Sequence, residues 1–215
     1  MSLFSFDRCA VVAEIGINHN GSLDLALEMI RAAHRVGCDA VKFQKRTVDV
    51  VYSEEELARP RKSPLGETNG DLKRGLEFGR KDYERIAALC GELGITWYAS
   101  PWDEASVDFL VALDVPYLKI ASASVTDRAL LVHAARSRVP LLISTGMCNL
   151  KMVEAVVETI EDAGGEIAVV HENELSEGPE DPPPGEQESR REAMELEDSL
   201  AKLQKQLKQR HKRKK

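Results

Sequence analysis

Short apolar runs alternate with longer amphipathic stretches over the first 171 residues of the chain. The runs are residues 9–15 (CAVVAEI), 40–44 (AVKFQ), 95–99 (ITWYA), 117–121 (YLKIA), 141–144 (LLIS) and 167–170 (IAVV). Each is apolar nearly throughout, a pattern that predicts strands of a parallel sheet covered by helices. The spacing predicts helices over residues 22–36, 81–93, 104–113, 127–138 and 149–163. Ser22 is placed to cap the first, Gly37 and Gly94 to end the first two, and Leu25, Met29, Ala32 and Ala33 to form the first helix's apolar stripe. Residues 45–80, which include RPRKSPLGETNGD, break the rhythm: the segment is longer than a simple connection and reads as either a functional lid or a solvated excursion.

Composition divides the chain a second time. Of the 29 basic and 36 acidic residues, 10 and 11 fall in residues 172–215, which also contain Pro182, Pro183 and Pro184 in a row and few apolar side chains. Such a tail cannot offset its ordering entropy by burial, so residues 1–171 read as the folded unit and 172–215 as a charged tail, disordered or a short helix. Ala193, Leu196, Leu200, Leu203 and Leu207 would give a helix over 186–210 a narrow leucine seam, and its basic end, KLQKQLKQRHKRKK, is the part suited to an acidic partner or nucleic acid. The net charge of −7 argues against a chain that coats nucleic acid or acidic membrane as a whole. No apolar run is long enough to span a bilayer and the N-terminus does not read as a signal peptide, so a cytoplasmic protein is expected. Cys9, Cys38, Cys90 and Cys148 form no CxxC pair and are expected to be reduced thiols packed as small apolar groups.

Polar side chains recur where the predicted strands end: Glu14, Lys42 and Gln44, Ser100, Lys119 and Ser122, Ser144, and His171. In a closed parallel α/β barrel these ends form one rim, from which catalytic groups come. The first turn, GINHNGS, lacks GxGxxG, and no P-loop motif appears, which weakens a dinucleotide or nucleotide fold. Lys42 and Lys119 entering one pocket with Ser100, Ser122 and Ser144 would make a cationic, hydroxyl-lined cup for phosphate or carboxylate. Both lysines sit inside apolar runs, where burial without an anion or acid partner is costly. Glu14, in VVAEIG, is expected to be a buried acid that pairs with a lysine or serves the chemistry. His19 in NHNG suits a tight loop as well as a substrate contact, Trp102 suits packing or a sugar floor, and Cys148 has no group placed to activate it.

The ordered segments AEIGINHNGSLDLALEMI, DAVKFQKR, GLEFG, GITWYASPWD, DVPYLKIASAS and LLISTGM resemble the N-terminal part of the sialic acid synthase family over residues 8–171. That resemblance implies a TIM-type (β/α)8 barrel followed by an antifreeze-like domain, a homodimer, and condensation of phosphoenolpyruvate with an N-acyl amino sugar such as N-acetylmannosamine to a nonulosonic acid with release of phosphate. Residue by residue, it implies that Lys42, Ser100, Lys119, Ser122 and Ser144 bind phosphoenolpyruvate, that Gln44 contacts the sugar, and that Glu14 stands near the reacting carbons. It also implies a divalent metal, manganese, held by histidines of later strands.

After His171 the family pattern stops: no SDH or ERH type motif follows, so no metal ligands are assigned in this chain, and the barrel is expected to be truncated after about six strands, with weak or absent turnover. Two other readings stand beside this one. A synthase that condenses phosphoenolpyruvate with an aldose phosphate would need extra Arg or Lys in its sugar pocket, and a non-catalytic barrel remnant would act through the basic tail.

Overall fold

The apolar runs do become strands, and the amphipathic stretches between them become helices. The computed structural model describes residues 9–146 and 148–171. The tail of residues 172–215, with its leucine seam, lies outside the described residues. Six strands, β1 (Val12–Gly16), β2 (Ala40–Lys45), β5 (Thr96–Pro101), β6 (Leu118–Ile120), β7 (Leu141–Ser144) and β8 (Ile167–His171), form one sheet in the order β1-β2-β5-β6-β7-β8. All neighbours are parallel. Chain order equals spatial order, so there is no strand-order switch at which a doubly wound sheet would bind its ligand, and the arrangement is that of a barrel wall. Among the described residues β1 and β8 are its two edges.

Helices α1 (Leu23–Arg35), α5 (Arg80–Leu93), α6 (Glu104–Val111), α7 (Arg128–Arg136) and α8 (Leu150–Asp162) provide the crossovers. Ser22 caps α1 by accepting from Leu25 N–H at 3.3 Å, and Gly94 ends α5 in the left-handed conformation at φ 68°. The stripe predicted for α1 is rotated in the structure: Ala26, Leu27, Ile30 and Ala33 are buried and Leu25 is exposed. Two apolar lines one residue apart fit the same 3.6 period, and packing on β1, β2 and α5 selects between them. Of the cysteines expected to be packed, Cys90 is buried, but Cys9 is exposed, because it precedes β1 rather than lying in it.

Residues 46–79 form neither a bare loop nor a solvated excursion. They fold as α2 (Val48–Val51), α3 (Glu54–Ala58), an antiparallel hairpin of β3 (Pro60–Ser63) and β4 (Gly66–Thr68), and α4 (Asn69–Gly75). Thr68 and Asp71 form a reciprocal capping box at the start of α4. The segment's end meets the loop after β1. The His19 ring stacks on Phe78 at 4.0 Å, and a Cβ on Gly21, at φ +78°, would come within 2.2 Å of the Gly75 carbonyl oxygen.

Candidate functional site

Because side chains two apart on a strand share a face, β2 divides into two sets. Val41 and Phe43 join the large core beneath the helices, while Ala40 belongs to the smaller cluster on the opposite face with Tyr98, Tyr117 and Leu142. Lys42 and Gln44 lie on that inner face, and parallel register sets Glu14 beside Lys42, Lys42 beside Tyr98, and Gln44 beside Ser100. On β6, Leu118 and Ile120 belong to the helix-side core, so Lys119 turns inward. Ser144 follows Leu142 on the inner face of β7, and its backbone is in register with His171. Glu14, Lys42, Gln44, Ser100, Lys119 and Ser144 therefore share one face, at the strands' C-terminal ends. Ser122 stands just beyond β6, in the single turn Ser122–Ser124, and is half-buried.

The electrostatics follow from this placement. Lys42, with its side chain 9% exposed, donates to Glu14 Oε2 at 2.6 Å. Glu14 is not the buried acid expected, since its side chain is 61% exposed: among the described residues β1 is an edge strand. Burial, and then the positive charge of Lys42, bring the Lys119 ammonium down to about 8, against the pull of Glu14. Ser100 is 2% exposed, and its hydroxyl has no hydrogen-bond partner among the described residues. Two ammonium groups and such a hydroxyl, gathered where a single carboxylate partly answers them, suit an anion.

Further up the same rim stand residues to which sequence reasoning gave no role. Glu77 accepts from Arg46 Nε at 2.6 Å, from the Arg46 backbone N–H at 3.2 Å and from Lys45 Nζ at 3.4 Å. Arg46 is buried; desolvation opposes its charge, but the hydrogen bond and charge of Glu77 hold its pKa above the ordinary value. Tyr83 donates its hydroxyl to the Gln44 carbonyl at 2.7 Å, so the backbone around Gln44 is held from two sides. The signal was present in the alternation 42, 44, 46 and in the glutamate of GLEFG. The weaker candidates resolve differently. His19, 2% exposed, accepts at Nδ1 from Gly21 N–H and serves the loop, while burial lowers its pKa. Trp102 packs beneath the Arg46 guanidinium, 5.8 Å from its ring centroid.

Among the described residues, no three His, Cys, Asp or Glu side chains come together to hold a metal ion. The manganese that the resemblance implied was expected on histidines of later strands, and the described residues offer no three-ligand site for it. No helix among them is long and apolar enough to cross a membrane.

A model of the NeuB family matches residues 29–174. Two similar proteins are the N,N'-diacetyllegionaminic acid synthase of Legionella pneumophila and the N-acetylneuraminate-9-phosphate synthase of Drosophila melanogaster. The first is 38% identical over 155 residues, covering 71% of this chain and 44% of the relative. The second is 40% identical over 168 residues, covering 77% and 45%. The chain thus spans less than half the length of these relatives. Among solved structures, the N-acetylneuraminic acid synthetase of Leptospira borgpetersenii, in complex with citrate, matches with a TM-score of 0.65 at 26% identity, over 78% of this chain and 56% of that one.

Proposed function

Because this chain belongs to the NeuB family, we propose that its inner face holds phosphoenolpyruvate for condensation with an N-acyl amino sugar, giving a nonulosonic acid and phosphate. The observation that supports this most directly is the convergence of Lys42, Lys119, Ser100 and Ser144 on one face at the strand ends. The two ammonium groups balance the phosphate and carboxylate of the bound ester, and the Ser100 hydroxyl, buried and without a protein partner among the described residues, donates to an ester oxygen. Gln44, in register with Ser100, holds the sugar so that its aldehyde carbon lies against the enol C3.

In the reaction the enol C3 bonds to the aldehyde carbon, water adds at C2, the C2–O bond to phosphate breaks, and the aldehyde oxygen takes up a proton. An anion that draws the ammonium of Lys42 releases the Glu14 carboxylate from its 2.6 Å bond, leaving Oε2 free to exchange a proton beside the reacting carbons. A thermal unfolding scan with and without millimolar phosphoenolpyruvate tests the cup. A melting temperature that rises with ligand, and no longer does so in Lys42→Met, is the expected result. A cooperative transition indifferent to the ligand refutes it. Phosphate release on adding N-acetylmannosamine then reports whether these residues turn over by themselves.

A further inference from the structure

The cup holds an amine that no described side chain engages. Lys119 turns inward from β6, in register with Leu142 on β7, and one residue on from the Ala99–Leu118 pair brings Ser100 of β5 level with it. Behind them along the strands lies the apolar cluster of Ala40, Tyr98, Tyr117 and Leu142, with the two tyrosine rings edge to face at 6.2 Å. Among the described residues no group forms a hydrogen bond or ion pair with Lys119, and the Glu14 carboxylate is bound to Lys42 instead. The Ser100 hydroxyl beside it is buried and has no partner among those residues either.

A lysine becomes a nucleophile when desolvation and a neighbouring cation both favour its neutral form. Lys119 meets both conditions: it is half-buried, the charge of Lys42 opposes its own, and its ammonium is held at about 8. At neutral pH the fraction with a free lone pair is then more than about a hundredfold larger than in a lysine at the ordinary value. The Lys42 ammonium and the Ser100 hydroxyl meanwhile offer two donors to a carboxylate on the same inner face.

We propose that Lys119 captures a small 2-oxo acid as an imine, with the carboxylate of the acid on Lys42 and Ser100 and its ketone carbon against Nζ. The nitrogen lone pair bonds to C2, and the carbonyl oxygen takes up the two protons that nitrogen gives up and departs as water. A C2=N bond thus replaces C2=O, with no change of oxidation state and no co-reactant. The capture goes beyond the condensation reading: it occupies the same cup, needs no phosphate on the ligand, and excludes phosphoenolpyruvate while it lasts.

The test is incubation of the full chain at neutral pH with pyruvate and cyanoborohydride, which adds hydride to the imine carbon and fixes the adduct, followed by peptide mass mapping. Labelling of Lys119 is expected to exceed that of any other lysine by at least about tenfold, to lose this selectivity in urea, and to be suppressed by phosphoenolpyruvate. Methyl pyruvate, which keeps the ketone but has no carboxylate, is expected to lose most of the selectivity. No adduct, label spread evenly over the lysines, label centred on Lys42, or equal selectivity with the methyl ester overturns the proposal. A melting temperature that rises with phosphoenolpyruvate, together with no adduct, sinks this inference alone. A selective Lys119 adduct that phosphoenolpyruvate does not suppress, with a melting temperature indifferent to that ester, keeps the capture and sinks the condensation reading.

Discussion

Replacing Glu77 with alanine is expected to cost about 3–5 kcal/mol of stability, because it strands a buried cation. Arg46 is 4% exposed, and Glu77 supplies the 2.6 Å bond to its Nε as well as the acceptor for its backbone N–H. Without the carboxylate, the guanidinium keeps one hydrogen bond, from Nη1 to Tyr52, and full desolvation. The figure measures the cost of leaving one partner alone; the pair's net worth against an apolar replacement is far smaller. Arg46→Met combined with Glu77→Met is therefore expected to recover most of the loss. Equilibrium urea unfolding reads both effects: with a slope of about 1–3 kcal/mol/M, the single variant's midpoint falls by roughly 1–5 M. A single variant that loses under about 1 kcal/mol, or a double variant no more stable than the single, would refute the reasoning.

Three further outcomes follow from the same geometry. Lys119 is held at about 8 in the folded protein, so above that pH and up to its unfolded value of 10.5 the unfolded chain binds more protons; stability should rise with pH across this window, and the rise should vanish in Lys119→Met, as urea titrations at several pH values would show. Asp103 accepts from Thr47 N–H, Thr47 Oγ1, Ser106 N–H and Ser106 Oγ at 2.6, 2.9, 2.8 and 2.7 Å. Burial works to raise its pKa, but these bonds hold it below 3.8, so its contribution is present above that pH and lost as pH falls below it; Asp103→Ala should cost about 2–4 kcal/mol at pH 7 and remove that part of the acid sensitivity. Gly21→Ala drives a Cβ into the Gly75 carbonyl at a backbone angle that alanine disfavours, and should lower the melting temperature by more than Gly37→Ala, whose Cβ meets nothing within 4 Å although its φ is also positive.

The strands were legible because a parallel strand covered on both faces has one signature, an apolar run of five or so residues, and AVKFQ and LLIS carry it. The inward turn of Lys42 and Lys119 was legible for the same reason, since a lysine within such a run must find an anion or an acid. The exposure of Glu14 was not legible, because it depends on β1 standing at a sheet edge, which no local pattern encodes. Nor was the folded state of residues 46–79. Its anchors, Arg46 to Glu77 and His19 to Phe78, pair residues far apart in sequence, and turn-rich composition alone reads as loop. The rotation of α1 was lost to ambiguity: two adjacent apolar lines satisfy one period, and only packing chooses between them.

The stitching of residues 45 and 46 to residues 77 and 78 also bears on how the protein tolerates change. Lys45 Nζ donates to the Phe78 carbonyl at 3.1 Å, and Arg46 to Glu77, so both ends of the inserted segment are tied at a common neck beside the barrel wall. A segment closed at its neck transmits little of its length to the strand and helix it joins, and doubling such a loop adds only about 0.6 kcal/mol of closure entropy. The hairpin turn between Ser63 and Gly66 is thus a graft site, a place where a tag or a reporter peptide can be spliced in while β2, α5 and the residues they orient keep their positions.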